Sequence, residues 1–152
     1  MIENPSNWAG NYTYGAAQFH QPQTVEQIQE VVVHSNKVKA LGTRHSFNDI
    51  ADSPGDLISV EHLNQIVRLD PERSTVTVEA GVRYGQLARW LHSQGYALHN
   101  LASLPHISVA GACATMERLK ATVIIRSTTA SFISGKPFTI YCICFRNLRY
   151  TK

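Results

Sequence analysis

The stretch Ala40-Leu41-Gly42-Thr43-Arg44-His45-Ser46-Phe47-Asn48 gathers the residue types most able to do chemistry in this chain. It places a glycine, two hydroxyls, a guanidinium and an imidazole within five positions. Successive amides in such a turn can form a concave nest for a phosphate. Gly42 is expected to take a positive φ and to let an anion come close to the backbone. Thr43 and Ser46 offer hydroxyl donors, and Arg44 offers a planar fork matched to phosphate oxygens. His45 is the nucleophile of the group, because an ordinary imidazole is largely neutral near pH 7. The plainer reading is a strand-to-loop turn carrying a surface histidine, and these nine residues alone leave both open.

The elements around the loop follow from pattern. Asn7 to Tyr14 is polar, aromatic and rich in turn formers, so it reads as an extended entry segment. Ala17 to His20 is a short strand. Thr24 and Gln27 have capping-box spacing, and Val25, Ile28, Val31 and Val32 recur at helical spacing, which predicts a helix over Val25 to Ser35. A strand over Val38 to Leu41 then delivers the chain to the polar loop. This strand–helix–strand opening puts the loop at the carboxyl end of a strand, where α/β sheets bind ligands.

Beyond it, Asp52 to Asp56 reads as an exposed turn and Leu57 to Val60 as a buried strand. Gln65 to Leu69 and Ser74 to Glu79 alternate, with Asp70 to Arg73 between them, so they form a hairpin. Tyr84 to Ser93 is a helix with Leu87, Trp90 and Leu91 on one face, ended by Gly95. Ala97-Leu98 is a short strand. Leu101 to Thr115 is small, hydroxylated and uncharged. It is either a surface on which a bulky ligand lies against backbone or a tightly packed core loop.

At 152 residues the chain has the length of one domain, and 43% hydrophobic with 16% charged residues fits a globular protein. No apolar run is long enough to span a bilayer and the first residues do not form a secretory signal, so the expected location is cytoplasmic. Three cysteines make no disulfide framework. Charge is unevenly spread. Residues 1–115 carry 7 Lys+Arg against 10 Asp+Glu, whereas residues 116–152 carry 7 against Glu117 alone. The basic charges of that last part are scattered, which argues against nucleic-acid binding. Strands are expected at Ala121 to Arg126 and Phe138 to Phe145, joined by a polar linker. There is no glycine-rich dinucleotide fingerprint, no Walker A and no metal-ligand spacing. Cys142 and Cys144 lack a second pair for zinc, and Ser103, His106 and Ser108 do not form a nucleophile elbow.

Four segments taken together carry a resemblance: Asn7-Trp8-Ala9-Gly10-Asn11, Leu41 to Asn48, Gly81-Val82-Arg83-Tyr84, and Ala102 to Gly111. They resemble the FAD-binding domain of vanillyl-alcohol-oxidase-type (PCMH-type) flavoproteins, closest to sugar-alcohol (xylitol, alditol) oxidases, with aldonolactone oxidases as near relatives. The resemblance runs from about Asn7 to Thr115. It implies an α+β fold, in which two α+β subdomains hold FAD between them, here with the second subdomain truncated. It implies cofactor binding by Ala40, Leu41, Gly42, Thr43, Arg44, His45 and Ser46, with the loop amides on the pyrophosphate. His45 matches the histidine that carries the flavin covalently through its 8α carbon. Ser103, Ser108, Gly111, Ala112, Cys113 and Ala114 would line the same cofactor. The implied reaction is oxidation of a CH–OH group of a polyol or sugar lactone, with dioxygen reduced to hydrogen peroxide.

After Thr115 the family continues with a Gly-Thr-His-Gly-like stretch, whereas this chain reads Met116-Glu117-Arg118-Leu119-Lys120-Ala121. The expectation is a cofactor-domain piece over 1–115, followed by an unrelated, frameshifted basic tail over 116–152. Such a chain would correspond to the first quarter of a family enzyme, without turnover of its own. The alternatives are a non-catalytic remnant and a small basic-tailed binding module.

Overall fold

The computed structural model describes residues 5–73, 75–98, 101–114 and 142–144. Its elements run β1 (Gln18–His20), α1 (Val25–His34), β2 (Val38–Leu41), a 3-10 turn at Asp49–Ala51, β3 (Asp56–Ser59), β4 (Ile66–Asp70), β5 (Thr75–Val78), α2 (Tyr84–Ser93), α3 (Val109–Ala114) and β6 (Cys142–Cys144). Two three-stranded sheets result. One is parallel, in the order β1-β3-β2, and the other is antiparallel, in the order β4-β5-β6.

The first sheet owes its order to β3, which inserts between β1 and β2. Asp56 lies between Gln18 and Val38, and Leu57 between Phe19 and Lys39. A central strand is covered on both faces, and Leu57 and Ile58 are accordingly buried. Leu41, Leu57, Tyr14 and Ala16 form one cluster, and Ile28 of α1 packs with Ile58 and Leu63 in another. Each aliphatic side chain so buried contributes about 1.5–3 kcal/mol. The start of α1 is fixed as its sequence suggests. Thr24 accepts from the Gln27 amide at 3.3 Å, while the Gln27 side chain accepts from the Gln23 amide at 2.7 Å. Ser35 is the C-cap rather than the last helical residue.

The second sheet packs its β5 face, Val76 and Val78, against Tyr84, Leu87 and Leu91 of α2 and Val109 of α3. Helix α2 closes with the Tyr96 amide on the Leu91 carbonyl and the Gly95 amide on the His92 carbonyl, a Schellman arrangement. That closure leaves Ala97-Leu98 in irregular backbone, not in the expected strand. Leu98 is instead a buried side chain of the same cluster. A second departure lies in the small-residue stretch, where Val109–Ala114 is helical. Ser108 starts that helix, its Oγ accepting from the Gly111 amide at 3.3 Å. Of the strand expected at Phe138 to Phe145, Cys142–Cys144 are described and pair antiparallel with β5, and the rest lies outside the described residues. The strand expected at Ala121 to Arg126 and the linker after it lie outside the described residues.

Candidate functional site

The loop after β2 is held open by the entry segment. Asn7 is buried, and all of its polar atoms are used. Its amide donates to the Tyr12 carbonyl at 2.8 Å, and its Oδ1 accepts from the Tyr12 amide at 3.1 Å. Its Nδ2 donates to Asn11 Oδ1 at 2.8 Å and to the Ser46 carbonyl at 2.9 Å. The Trp8 amide donates to the Arg44 carbonyl at 2.9 Å. The loop is therefore pinned through its carbonyls. The amides of Gly42, Thr43, Arg44, His45 and Ser46 donate no hydrogen bond among the described residues. Unsatisfied, clustered donors of this kind favour an anion.

The positive φ expected at Gly42 occurs instead at Arg44, with φ 62°. A non-glycine residue in that region is strained, and such strain collects at ligand sites. Gly42 is needed for a different reason. A Cβ there would lie 2.9 Å from Ser108 Oγ, too close for two unbonded atoms. The Arg44 guanidinium donates to the Ser6 carbonyl at 3.1 Å, which anchors its exposed side chain beside the loop.

A second strap comes from the other sheet. The Tyr84 amide donates to the Ile107 carbonyl, the Gly85 amide to the Pro105 carbonyl and the Val109 amide to the Val82 carbonyl. These bonds lay the segment before α3 along the start of α2. The two straps meet where the Ser108 amide donates to Thr43 Oγ1 at 3.3 Å. Between them is a cleft of about 280 Å³, lined by Trp8, Gly42 to His45, Val60, Glu61, Gly81, Arg83, His106 and Ser108.

His45 sits in this cleft with two other rings. Its centroid is 5.0 Å from that of Trp8 and 4.4 Å from that of His106, and Trp8 and His106 are nearly parallel at 6.2 Å. Burial pushes the His45 imidazole below its ordinary pKa, and the facing His106 and Arg83 push it further down. The result is a ring held neutral, and neutral imidazole is the nucleophilic form. Among the described residues the buried His106 Nε2 has no hydrogen-bond partner. Arg83 and Glu61 pair at 3.4 Å at the cleft, both half-exposed.

The structure brings Gly42, Thr43, Arg44, His45 and Ser108 together in the cleft, as the sequence suggests. Ser46 adjoins it through its held carbonyl. Ala40 lies on β2 opposite Ile58, and Leu41 points into the core, so these two support the loop without lining the cleft. Ser103 is exposed and also lies outside the cleft wall. Gly111 closes against Ser108 Oγ, and Ala112 packs in the second core. Cys113 and Ala114 contribute helical backbone of α3. Trp8, Glu61, Gly81, Arg83 and His106 line the cleft although no local spacing marks them as site residues. Only the segments Asn7 to Asn11, Gly81 to Tyr84 and Ala102 to Gly111 hinted at most of them.

Comparison with known proteins agrees with this geometry. A family profile described as an FAD binding domain matches residues 16–136. Alditol oxidase from a Streptomyces species is 48% identical over 113 residues, covering 72% of this chain and 27% of the relative. L-gulonolactone oxidase from Mus musculus is 35% identical over 109 residues, covering 69% of this chain and 25% of the relative. The chain thus spans about a quarter of the length of these curated relatives. Among solved structures, the xylooligosaccharide oxidase of Myceliophthora thermophila C1, solved with xylobiose, superposes with a TM-score of 0.57 at 25% identity, over 70% of this chain and 24% of that one. Cholesterol oxidase from B. sterolicum shares the fold, with a TM-score of 0.59 at 19% identity, over 72% of this chain and 23% of that one.

The residues present suit such a cofactor. Open amides around a left-handed Arg44 match a diphosphate, and the Trp8, His45 and His106 rings match a flat heteroaromatic system. With a profile match over most of its length and an α+β fold shared with the xylooligosaccharide oxidase, the chain belongs to the FAD binding domain family, and its cofactor is FAD.

Proposed function

We propose that this chain forms the cofactor-holding wall of an FAD-dependent oxidase acting on a CH–OH group of a polyol or an aldonolactone, with His45 as the covalent anchor. The observation that carries the reading is the set of open amides at Gly42 to Ser46, with the neutral His45 ring beside them in the cleft. The substrate class is supported by the alditol and L-gulonolactone oxidases to which the chain is similar. When bound, FAD supplies hydride acceptance from a carbinol carbon and reoxidation by dioxygen. The chain's own part is to bind and orient. The loop amides neutralise diphosphate charge, Thr43 and Ser108 hold the two straps in register, and Trp8 with His106 confines the His45 ring.

In this reading residues 1–115 supply the chemistry, and among the described residues beyond them Cys142–Cys144 pair with β5 in the second sheet. Orienting a polyol can be worth about 7–11 kcal/mol of barrier. In this reading the described cleft walls serve to hold the cofactor, and the chain by itself turns over no polyol.

The experiment is to load the chain with FAD, precipitate it in acid and wash the pellet. Flavin that stays with the pellet is expected for the unaltered chain, and none for His45→Ala. A colourless pellet from the unaltered chain, or a yellow one from His45→Ala, overturns the anchor assignment.

A further inference from the structure

We propose that His106 is a positioning residue for the attachment of the cofactor to His45. The inference rests on the covalent reading above and adds a residue to it.

Three observations converge on His106. Its ring is 4.4 Å from that of His45, tilted by 44°, so the two imidazoles share one wall of the cleft. Its Nε2 is buried with no partner among the described residues. A buried polar nitrogen left unpaired is destabilising. That cost is relieved when a polar group of a bound molecule enters the cleft. Finally, the backbone on both sides of His106 is fixed by the start of α2, through the Pro105 and Ile107 carbonyls. The ring is therefore carried by a rigid strap rather than by a loose loop.

The chemistry explains why such a neighbour matters. In attachment, a His45 ring nitrogen bonds to the flavin's 8α carbon. One C–H bond at that carbon and one imidazole N–H bond break. The two electrons and two protons leave with dioxygen as hydrogen peroxide, so the balance closes. Only neutral His45 can make the bond. The charged groups around the cleft are Arg44 on its own loop, Glu61 after β3, Arg83 before α2 and His106 before α3, and beside burial it is His106 and then Arg83 that push the His45 imidazole down. Glu61 and Arg83 pair with each other, which partly cancels their fields at a distance. Among the described residues His106 pairs with no acid. Two imidazoles this close do not both take a proton readily, so a proton on His106 disfavours one on His45.

The test follows covalent incorporation of FAD into the full chain between pH 5.5 and 8.5, read as acid-stable flavin and as the mass of the adduct. His106→Phe keeps the ring contact and removes the charge. The pH of half-maximal attachment rate is expected to rise in this variant by about half a pH unit or more. His106→Lys substitutes a fixed charge, and the midpoint is expected to fall. If all three curves superimpose while the unaltered chain forms the adduct, the positioning role of His106 is overturned and the His45 link stands. If the unaltered chain forms no adduct at any pH, both are overturned. Should His106→Phe lose its fold by circular dichroism, the comparison with His106→Lys decides alone, and an unmoved midpoint overturns the proposal.

Discussion

Thr43 Oγ1 accepts a hydrogen bond from the amide of Ser108 at 3.3 Å, and the two residues are 65 positions apart. This bond ties the loop after the parallel sheet to the residue that precedes α3 in the second lobe. Ser108 is almost fully buried, so its amide has no water to turn to. Thr43→Val keeps the shape and removes the acceptor. It is expected to cost about 1–3 kcal/mol, read as a lower urea midpoint, with Thr43→Ser restoring most of it.

Two glycines at the cleft should rank differently. A Cβ on Gly81 would land on the Val60 carbonyl oxygen and lie 2.8 Å from that of Leu63, both backbone atoms that cannot step aside. A Cβ on Gly42 meets the Ser108 hydroxyl, which can turn at the expense of its bond to the Gly111 amide. Gly81→Ala is therefore expected to lose about 3 kcal/mol or more and Gly42→Ala about 1 kcal/mol. Equal losses in chemical denaturation would contradict this account of the close approaches.

The depressed His45 pKa makes stability depend on pH. The unfolded chain, with an ordinary imidazole near pKa 6.5, binds more protons than the folded one as pH falls through that value. Stability is then present above the unfolded pKa and is lost on acidification towards the folded one. His45→Phe should flatten the difference between urea midpoints measured at pH 5.5 and 7.5. A variant as pH-sensitive as the parent would assign that dependence to other groups.

Tyr12 donates its hydroxyl to Asp52 Oδ2 at 2.7 Å. This bond to a carboxylate, with a smaller contribution from burial, pushes the phenol up to about 12. Asp52 also accepts the Gly15 amide, at 2.9 Å, so it clamps the end of the entry segment. In Asp52→Asn the Tyr12 transition, followed by tyrosinate absorbance, should move back towards 10. No movement would mean that the carboxylate is not what holds the proton.

Much of this was legible from the residues. The periodic Val25, Ile28 and Val31 behind a Thr24 cap, and the alternation over Thr75–Val78, are local signals, and the elements formed where they point. The loop after β2 was legible because donors and an imidazole crowd into five positions. What escaped is non-local. Helix α3 has alanine, glycine and cysteine where a periodic apolar stripe would announce it, and it forms because Val109 drops into the second core. Ala97-Leu98 is irregular, and among the described residues no strand pairs with it. Asn7 reaches Ser46 across 39 positions, and His106 meets His45 only once two sheets are in place. The left-handed residue is Arg44 and not Gly42, a choice that backbone preference alone does not reveal and that goes with the Trp8 bond to the Arg44 carbonyl.

The clasp made by Asn7 and Trp8 has a practical consequence. Whatever is fused to, cleaved from or crosslinked at residues 5–14 pulls directly on the anion-facing turn, some thirty-five positions later in the chain. An affinity handle placed there would report on its own interference with that turn.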